Sequence, residues 1–251
     1  MIRIILSGAH GRMGKVIADM VANNPTYEIV AGIDRKKGPL APFPVYGSLS
    51  EVKEEADVVI DFSYFETVPT LLKDTQKKAL PIVIATTGLP AATLNQMKKI
   101  AETIPVFFSA NMSLGINVLI QALQQITPNL ESDFDIEMIE KHHNQKKDAP
   151  SGTALLLADS INEVCQTKKE YLFGRQGNHN ENLRSQMGIH AVRGGTIPGE
   201  HTVLFAGQDE LIELKHTALS RDIFANGALK AASFLVTQAP GFYSMKELLS
   251  N

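Results

Sequence analysis

The chain reads as an α/β protein with a doubly wound parallel sheet, followed by a second, α+β domain whose sheet is mixed or antiparallel. Three observations carry that reading. Over the first 112 residues, short β-branched runs alternate with helical periods, the pattern of βαβ units covered on both faces. A glycine-rich turn joins the first of those strands to the first helix. From residue 189 to 216, short strands follow one another across Gly/Pro turns with no helix between them, as in an antiparallel or mixed sheet.

The first strand, residues 2–6, runs into Gly8, Ala9, His10, Gly11, Arg12, Met13 and Gly14, and then into Val16, Ile17, Met20 and Val21 at helical spacing. A second strand, residues 28–33, ends in Asp34. Strand, glycine turn, helix, strand and acidic residue is the order of a Rossmann-type, dinucleotide-binding βαβ unit. Glycines let the backbone approach a pyrophosphate, and the helix start offers it free N–H groups and a positive dipole end. The spacing is G-x-x-G-x-x-G, with Ala9 where the commonest fingerprint has its first glycine. Asp34, 20 positions after Gly14, is placed to accept hydrogen bonds from an adenosine ribose. Arg35, with Arg12, suits a 2′-phosphate, so the residues are compatible with NADH and with NADPH. As the first of the run Arg35, Lys36, Lys37, Arg35 also fits a solvated loop.

Strands at 58–62, 82–85 and 106–109, with helices at 67–78 and 91–102, continue the alternation. Their carboxyl ends carry Asp61, Phe62 and Ser63; Ala85, Thr86, Thr87 and Gly88; and Ser109, Ala110, Asn111 and Met112. Open parallel sheets bind ligands at such ends, although each of these groups also reads as an ordinary turn or cap. A helix at 114–126 follows. The closing helix, 221–237, is expected to pack back on the first domain. The predicted domains are residues 1–112 with 221–251 for the dinucleotide and residues 113–220 for the substrate.

In the second domain the helix at 114–126 is followed by a strand at 134–139. Alternation puts Glu137, Ile139 and Lys141 on one face and Met138, Glu140 and His142 on the other, so His142 and the adjacent His143 diverge. Histidine exchanges protons near neutral pH, and Lys146 is a tunable cation. The loop from Asp148 leads into an apolar helical run from Ala154. Pro150 suits the first helical turn, and Ser151, Gly152 and Thr153 are expected to turn N–H groups and hydroxyls outward as a carboxylate site. His143, Lys146 and Lys147 add positive charge. The alternative is a solvated basic loop beside an ordinary cap. Adjacent histidines make poor joint ligands, and no third ligand lies at a suitable spacing, so no metal site is expected.

Composition narrows the classes. A formal charge of −3 gives no pull toward nucleic acid or anionic membrane. No segment approaches the roughly 18 apolar residues of a membrane span, and the N-terminus enters a strand without the pattern of a signal peptide. The single cysteine, Cys165, fits a reducing compartment. A cytoplasmic protein is expected.

These motifs together closely resemble the dihydrodipicolinate (4-hydroxy-tetrahydrodipicolinate) reductase family of the diaminopimelate route to lysine. The carrying strings are G-A-H-G-R-M-G at 8–14, D-F-S at 61–63, T-T-G at 86–88 and S-A-N-M-S-L-G at 109–115. With them go E-M-I-E-K-H-H-N-Q-K-K-D-A-P-S-G-T-A at 137–154 and R-G-G-T-I-P-G-E-H-T-V-L-F-A at 193–206. They run in family order over nearly the whole chain. The resemblance implies reduction of a cyclic, unsaturated imine dicarboxylate to tetrahydrodipicolinate by NADH, NADPH or both. It implies a catalytic role for His142, proton donation by Lys146, and substrate binding by His143, Gly152 and Thr153. Cofactor contacts are implied for Gly8 to Met13, Asp34, Arg35, Ala85, Thr86, Thr87 and Ser109 to Met112. It further implies a homotetramer built through the second domain's sheet.

Three departures stand out. Ala85 replaces the family's usual glycine, Asp34 replaces the commoner Glu, and residues 36–45 are short and proline-rich. Two other classes share part of the pattern. An aspartate dehydrogenase-like enzyme has no need of the H-H-x-x-K string with its S-G-T turn. A non-catalytic nucleotide sensor would keep only the glycine turn and Asp34.

Overall fold

The structure is a computed structural model that describes residues 1–36, 42–178 and 183–250. Half of the short proline-rich segment, residues 37–41, therefore lies outside the described residues. In chain order the elements are β1 (Ile2–Ser7), α1 (Arg12–Ala22), β2 (Tyr27–Ile33), β3 (Val45–Tyr46), β4 (Val58–Asp61), α2 (Val68–Lys77), β5 (Ile82–Ile84), α3 (Ala91–Ile100) and β6 (Pro105–Phe108). They continue with α4 (Leu114–Leu130), β7 (Asp135–His142), α5 (Gly152–Val164), β8 (Glu170–Leu172), β9 (Gln186–Arg193), β10 (Gly199–Ala206), β11 (Leu211–Ala218), α6 (Asp222–Leu235), β12 (Gly241–Tyr243) and α7 (Met245–Leu249). The chain divides into two compact units, Met1–Leu114 with Arg221–Asn251, and Gly115–Ser220.

The first unit holds a seven-stranded sheet in the order β12-β6-β5-β4-β1-β2-β3, with every pairing parallel. Successive strand residues serve opposite cores, as a pleat covered on both faces requires. Ile4, Leu6, Val58, Ile60 and Phe107 pack with Ile17 of α1 and with Ala228, Leu229 and Ala232 of α6. Ile5, Val59, Ile82, Ile84 and Val106 pack with Leu71 and Leu72 of α2 and with Met97 and Ile100 of α3. This is the doubly wound, Rossmann-type arrangement. Chain order reverses on either side of β1, which pairs with both β2 and β4. That is the switch point where such sheets leave a crevice. The closing helix α6 belongs here: the Tyr27 hydroxyl on β2 lies 2.7 Å from Ser233 Oγ.

The second unit holds a five-stranded sheet in the order β11-β10-β7-β9-β8. Its centre is mixed, because β7 runs antiparallel to β10 and parallel to β9. The β10–β11 pair is joined by a short turn and must be antiparallel, whereas β7 reaches β9 through a long connection that carries α5. Ile136, Met138, Met187, Val203 and Phe205 pack against Leu119 and Leu123 of α4 and Leu157 and Ile161 of α5. Cys165 is buried beside them, and burial pushes its thiol up to about 11, so it is an inert core residue.

Two local readings are revised. Helix α4 runs past residue 126, through Pro128, to Leu130; the proline forgoes its own N–H bond, and Thr127 beside it is fully buried. The strands β3, β8 and β12 have two or three residues each, too few to show a period in sequence. No helix among the described residues is long and apolar enough to cross a membrane.

Candidate active site

In the first unit the glycine turn is shaped by contact with backbone. Gly8 has φ +80°, and a Cβ there would stand 2.5 Å from the Phe62 carbonyl oxygen. At Gly14 a Cβ would stand 2.3 Å from the Gly8 carbonyl oxygen. Only glycine lets β1, the end of β4 and the start of α1 meet this closely. Helix α1 begins at Arg12 with Gly11 as N-cap and no side-chain cap, which leaves its first turn of N–H groups facing outward. Ala9 is fully buried, while His10 keeps a buried Nε2 with no hydrogen-bond partner among the described residues.

Asp34 follows β2 directly and accepts a hydrogen bond from the His10 N–H at 3.0 Å. Beside it a cavity of about 510 Å³ is lined by Gly8, Asp34, Arg35, Ser63, Tyr64 and Thr67, among others. The Arg35 guanidinium lies 5.8 Å from the centre of the Tyr64 ring, in reach of a cation–π contact.

The other strand ends divide between bracing and presentation. Asp61 is fully buried and accepts from the Thr86 hydroxyl at 2.6 Å and the Ser63 N–H at 3.3 Å. Burial raises its carboxyl above the usual range against those hydrogen bonds. Thr86 therefore turns its side chain inward and offers only backbone, whereas Thr87 is exposed and Ala85 is buried. Ser109 Oγ donates to the Asn111 carbonyl at 2.7 Å, and Asn111 Oδ1 accepts from the Ser113 N–H at 2.9 Å. Ala110 is exposed on that self-tied loop. Met112 packs in the core beside Ala225.

In the second unit, β7 carries the alternation read from sequence: Ile136, Met138 and Glu140 are buried and the residues between them are not. Glu140 is fully buried. Its Oε2 lies 2.6 Å from His142 Nδ1, and its Oε1 accepts the Ser151 N–H at 2.9 Å. Arg193 of β9 grips both oxygens, Nη1 to Oε2 at 2.8 Å and Nη2 to Oε1 at 2.6 Å. Burial alone would raise the Glu140 carboxyl; Arg193, His142 and the Ser151 amide outweigh it and hold the group below its usual range. For His142, burial prevails over Glu140, and its pKa falls below the ordinary histidine value.

His201 of β10 completes the cluster. Its ring lies 5.1 Å from that of His142, and its Nε2 is 2.9 Å from Ser151 Oγ. Burial, then the neighbouring His142, push it down to about 4. Lys146 Nζ pairs with Asp148 Oδ2 at 2.9 Å, with Lys146 the more buried of the two. His143 has a buried Nδ1 with no hydrogen-bond partner among the described residues.

The helix start differs from the sequence reading. Ser151 is the N-cap of α5, its hydroxyl accepting from the Ala154 N–H at 3.1 Å, and Pro150 precedes the cap rather than occupying the first turn. Ser151 is also buried, with its N–H taken by Glu140 and its hydroxyl by Ala154 and His201. It does not turn outward; it anchors the helix from inside. Gly152 does face open space, with nothing within 4 Å of where a Cβ would stand, and Thr153 is half-buried beside it.

Sequence reasoning assigned no role to Glu140, Arg193 or His201. The available signal was phase: Glu140 falls on the apolar side of β7 between Met138 and His142, where a charge needs a partner. Among the described residues no group of three or more His, Cys, Asp or Glu side chains is disposed to hold a metal ion.

Comparison with known proteins extends over the whole chain. A family model described as dihydrodipicolinate reductase, N-terminus, matches residues 2–112, and one described as dihydrodipicolinate reductase, C-terminus, matches residues 115–249. The 4-hydroxy-tetrahydrodipicolinate reductase of Caldanaerobacter subterraneus subsp. tengcongensis is 55% identical, with 99% of this chain and 98% of the relative covered. The enzyme of that name from Clostridium tetani is 47% identical, covering 100% and 98%. Among solved structures, a dipicolinate-bound dihydrodipicolinate reductase from Paenisporosarcina sp. TG-14 superposes with a TM-score of 0.83 at 27% identity, covering 97% of each chain.

Proposed function

Because this chain belongs to the dihydrodipicolinate reductase family, we propose that it reduces 4-hydroxy-tetrahydrodipicolinate, a cyclic dicarboxylate, to tetrahydrodipicolinate with NADH or NADPH. It is an oxidoreductase of lysine and diaminopimelate biosynthesis. One observation carries the assignment of roles. A histidine held by a buried carboxylate, a lysine paired with an aspartate and an open helix start all lie on the single segment from β7 to α5.

The first unit's residues fit a dinucleotide. The bare Gly8–Gly14 main chain and the uncapped start of α1 suit a pyrophosphate, and the orphaned His10 Nε2 gives that turn an unused polar atom. Asp34 holds the ribose, Arg35 stands where a 2′-phosphate would be met, and Thr87 and Ala110 present backbone at the strand ends, with Ala85, Thr86, Ser109, Asn111 and Met112 shaping those loops. When bound, the nicotinamide would supply a hydride to the conjugated ring that forms once the substrate's 4-hydroxyl has left as water.

The chain's own residues supply the rest. Lys146 donates the proton that completes addition across the double bond, and Asp148, which is largely exposed, pairs with its ammonium. His142 serves that proton transfer as a relay. One substrate carboxylate is gripped by Gly152 and Thr153 at the start of α5, with His143 beside them; Ser151 positions that helix. Mixing the protein with NADPH and enzymatically generated substrate tests the reading. Nicotinamide absorbance should fall only when both are present, and its constancy at micromolar enzyme would refute it.

We also place the protein in the cytoplasm as a homotetramer joined through the outer face of the second sheet. Val192 and Leu211 stand exposed on that sheet, at 42% and 54%. Light scattering on the eluting protein should give four chain masses, and a monomer mass would refute the assembly.

A further inference from the structure

Glu140 holds more of the site than a partner for one histidine would. Its carboxylate contacts His142 through Oε2 and the N-cap residue of α5 through Oε1, and Arg193 grips both oxygens. The same Arg193 Nη2 donates to the Asp148 carbonyl at 2.6 Å, and the Asp148 carboxylate pairs with Lys146. A continuous chain of contacts therefore runs His142–Glu140–Arg193–Asp148–Lys146, with Ser151 branching from Glu140. A buried ion pair is a weak way to stabilise a fold, since well-packed apolar side chains of similar volume often do as well. Here the pair stands at the junction of a strand, a loop and a helix start that must agree in position.

We infer that Glu140 is the positioning residue of this site: it fixes His142 as the Nδ1–H tautomer with Nε2 left as the acceptor, and through Arg193 and Ser151 it sets the places of Lys146 and the start of α5. The tautomer follows from the chemistry of the pair. An ionised carboxylate only accepts, so the ring nitrogen 2.6 Å from it must carry the hydrogen, and the partner of one ring nitrogen decides the state of the other. His142 Nε2 lies on the side of Gly199, where a Cβ would stand 3.2 Å from it. The inference rests on the proposed roles of His142 and Lys146, and the test separates the two.

In the wild-type protein, ¹⁵N spectra of the histidine ring should show His142 as the Nδ1–H tautomer at neutral pH; an Nε2–H ring would overturn the inference whether or not any variant folds. In Glu140→Gln, which keeps the volume and loses the charge, the spectrum should move toward the Nε2–H form. Its kcat should fall about 10²-fold, the scale of a small misplacement of reacting groups. NADPH binding, read by titration, should stay within twofold. Glu140→Gln placed on His142→Gln should cost less than it does alone, because residues that act through one another are not additive. Full additivity with an unchanged His142 spectrum would reduce Glu140 to a structural ion pair. Wild-type protein that binds NADPH, shows the Nδ1–H ring and turns over no substrate would instead refute the proposed reaction while leaving the positioning intact.

Discussion

Gly8→Ala is the sharpest test of how the nucleotide turn is built, because its cost separates into two parts. The first is conformational. Gly8 has φ +80°, and an L-residue held there costs about 1–2 kcal/mol, offset in part by about 0.4–1 kcal/mol of lost unfolded-chain freedom. The second is steric. The new Cβ would stand 2.5 Å from the Phe62 oxygen, 2.8 Å from its carbonyl carbon and 3.0 Å from the Ser63 nitrogen. All three atoms are main chain, and Phe62 N–H is bonded to the Ser7 carbonyl at 3.0 Å, so no side chain can swing away. Forcing such a contact adds about 1–3 kcal/mol.

Gly88 supplies the control. Its φ is +73°, yet nothing lies within 4 Å of its missing Cβ, so Gly88→Ala carries the conformational part alone, about 1 kcal/mol net. At roughly 2–4 °C per kcal/mol for a chain of this size, Gly88→Ala should lower Tm by about 2–4 °C and Gly8→Ala by about 5–15 °C. Calorimetric titration of Gly8→Ala with NADPH should show Kd raised at least about tenfold, since the shifted turn no longer cradles the phosphates. Equal melting of the two variants with wild-type NADPH affinity in Gly8→Ala would refute this account of the turn.

Other outcomes follow from the same geometry. Lys146→Ala should lower kcat by about 10²–10⁴-fold, the range of a lost general acid, with little change in KM; a KM effect alone would move Lys146 to binding. Arg35→Ala should weaken NADPH about tenfold, as loss of one charge-assisted contact does, and NADH hardly at all; titrations that weaken equally would remove Arg35 from the 2′-phosphate. Below its ordinary value of 6.5, His201 takes up its proton in the unfolded chain first and in the folded chain only near 4. Stability should therefore drain as pH falls through that window, by up to about 3 kcal/mol. Denaturant melts of His201→Gln should show a flatter dependence between pH 6.5 and 4, and an unchanged slope would assign the acid sensitivity elsewhere.

The doubly wound first unit was legible because its signals are local. A strand buried on both faces has little choice but to be apolar along its length, as residues 58–60 and Ile82–Ile84 are. A helix that must open on a pyrophosphate keeps glycine before it. The mixed second sheet was less legible, since pairing partners lie far apart in the chain: β7 meets β9 some fifty residues on and β10 some sixty to seventy residues on. Ser151 shows the limit at single residues. Its type and place announce a helix cap, and a cap can face water or the core; only the arrival of Glu140 and His201 from other strands turned it inward.

What the sequence determined by itself, then, was the order of the longer elements, the glycine turn with its acidic partner, and the segment that carries His142, His143, Lys146 and the start of α5, because spacing along the chain encodes all of these. The tertiary structure decided which of those residues are spent on the fold and which face outward. It turned Thr86, Ser151 and Met112 inward, left Thr87 and Gly152 facing out, and buried one carboxylate where strand β9 could bring Arg193 to it. The reason is physical: a buried charge must find its counter-charge through space, and no periodicity of a single strand records which distant residue will supply it.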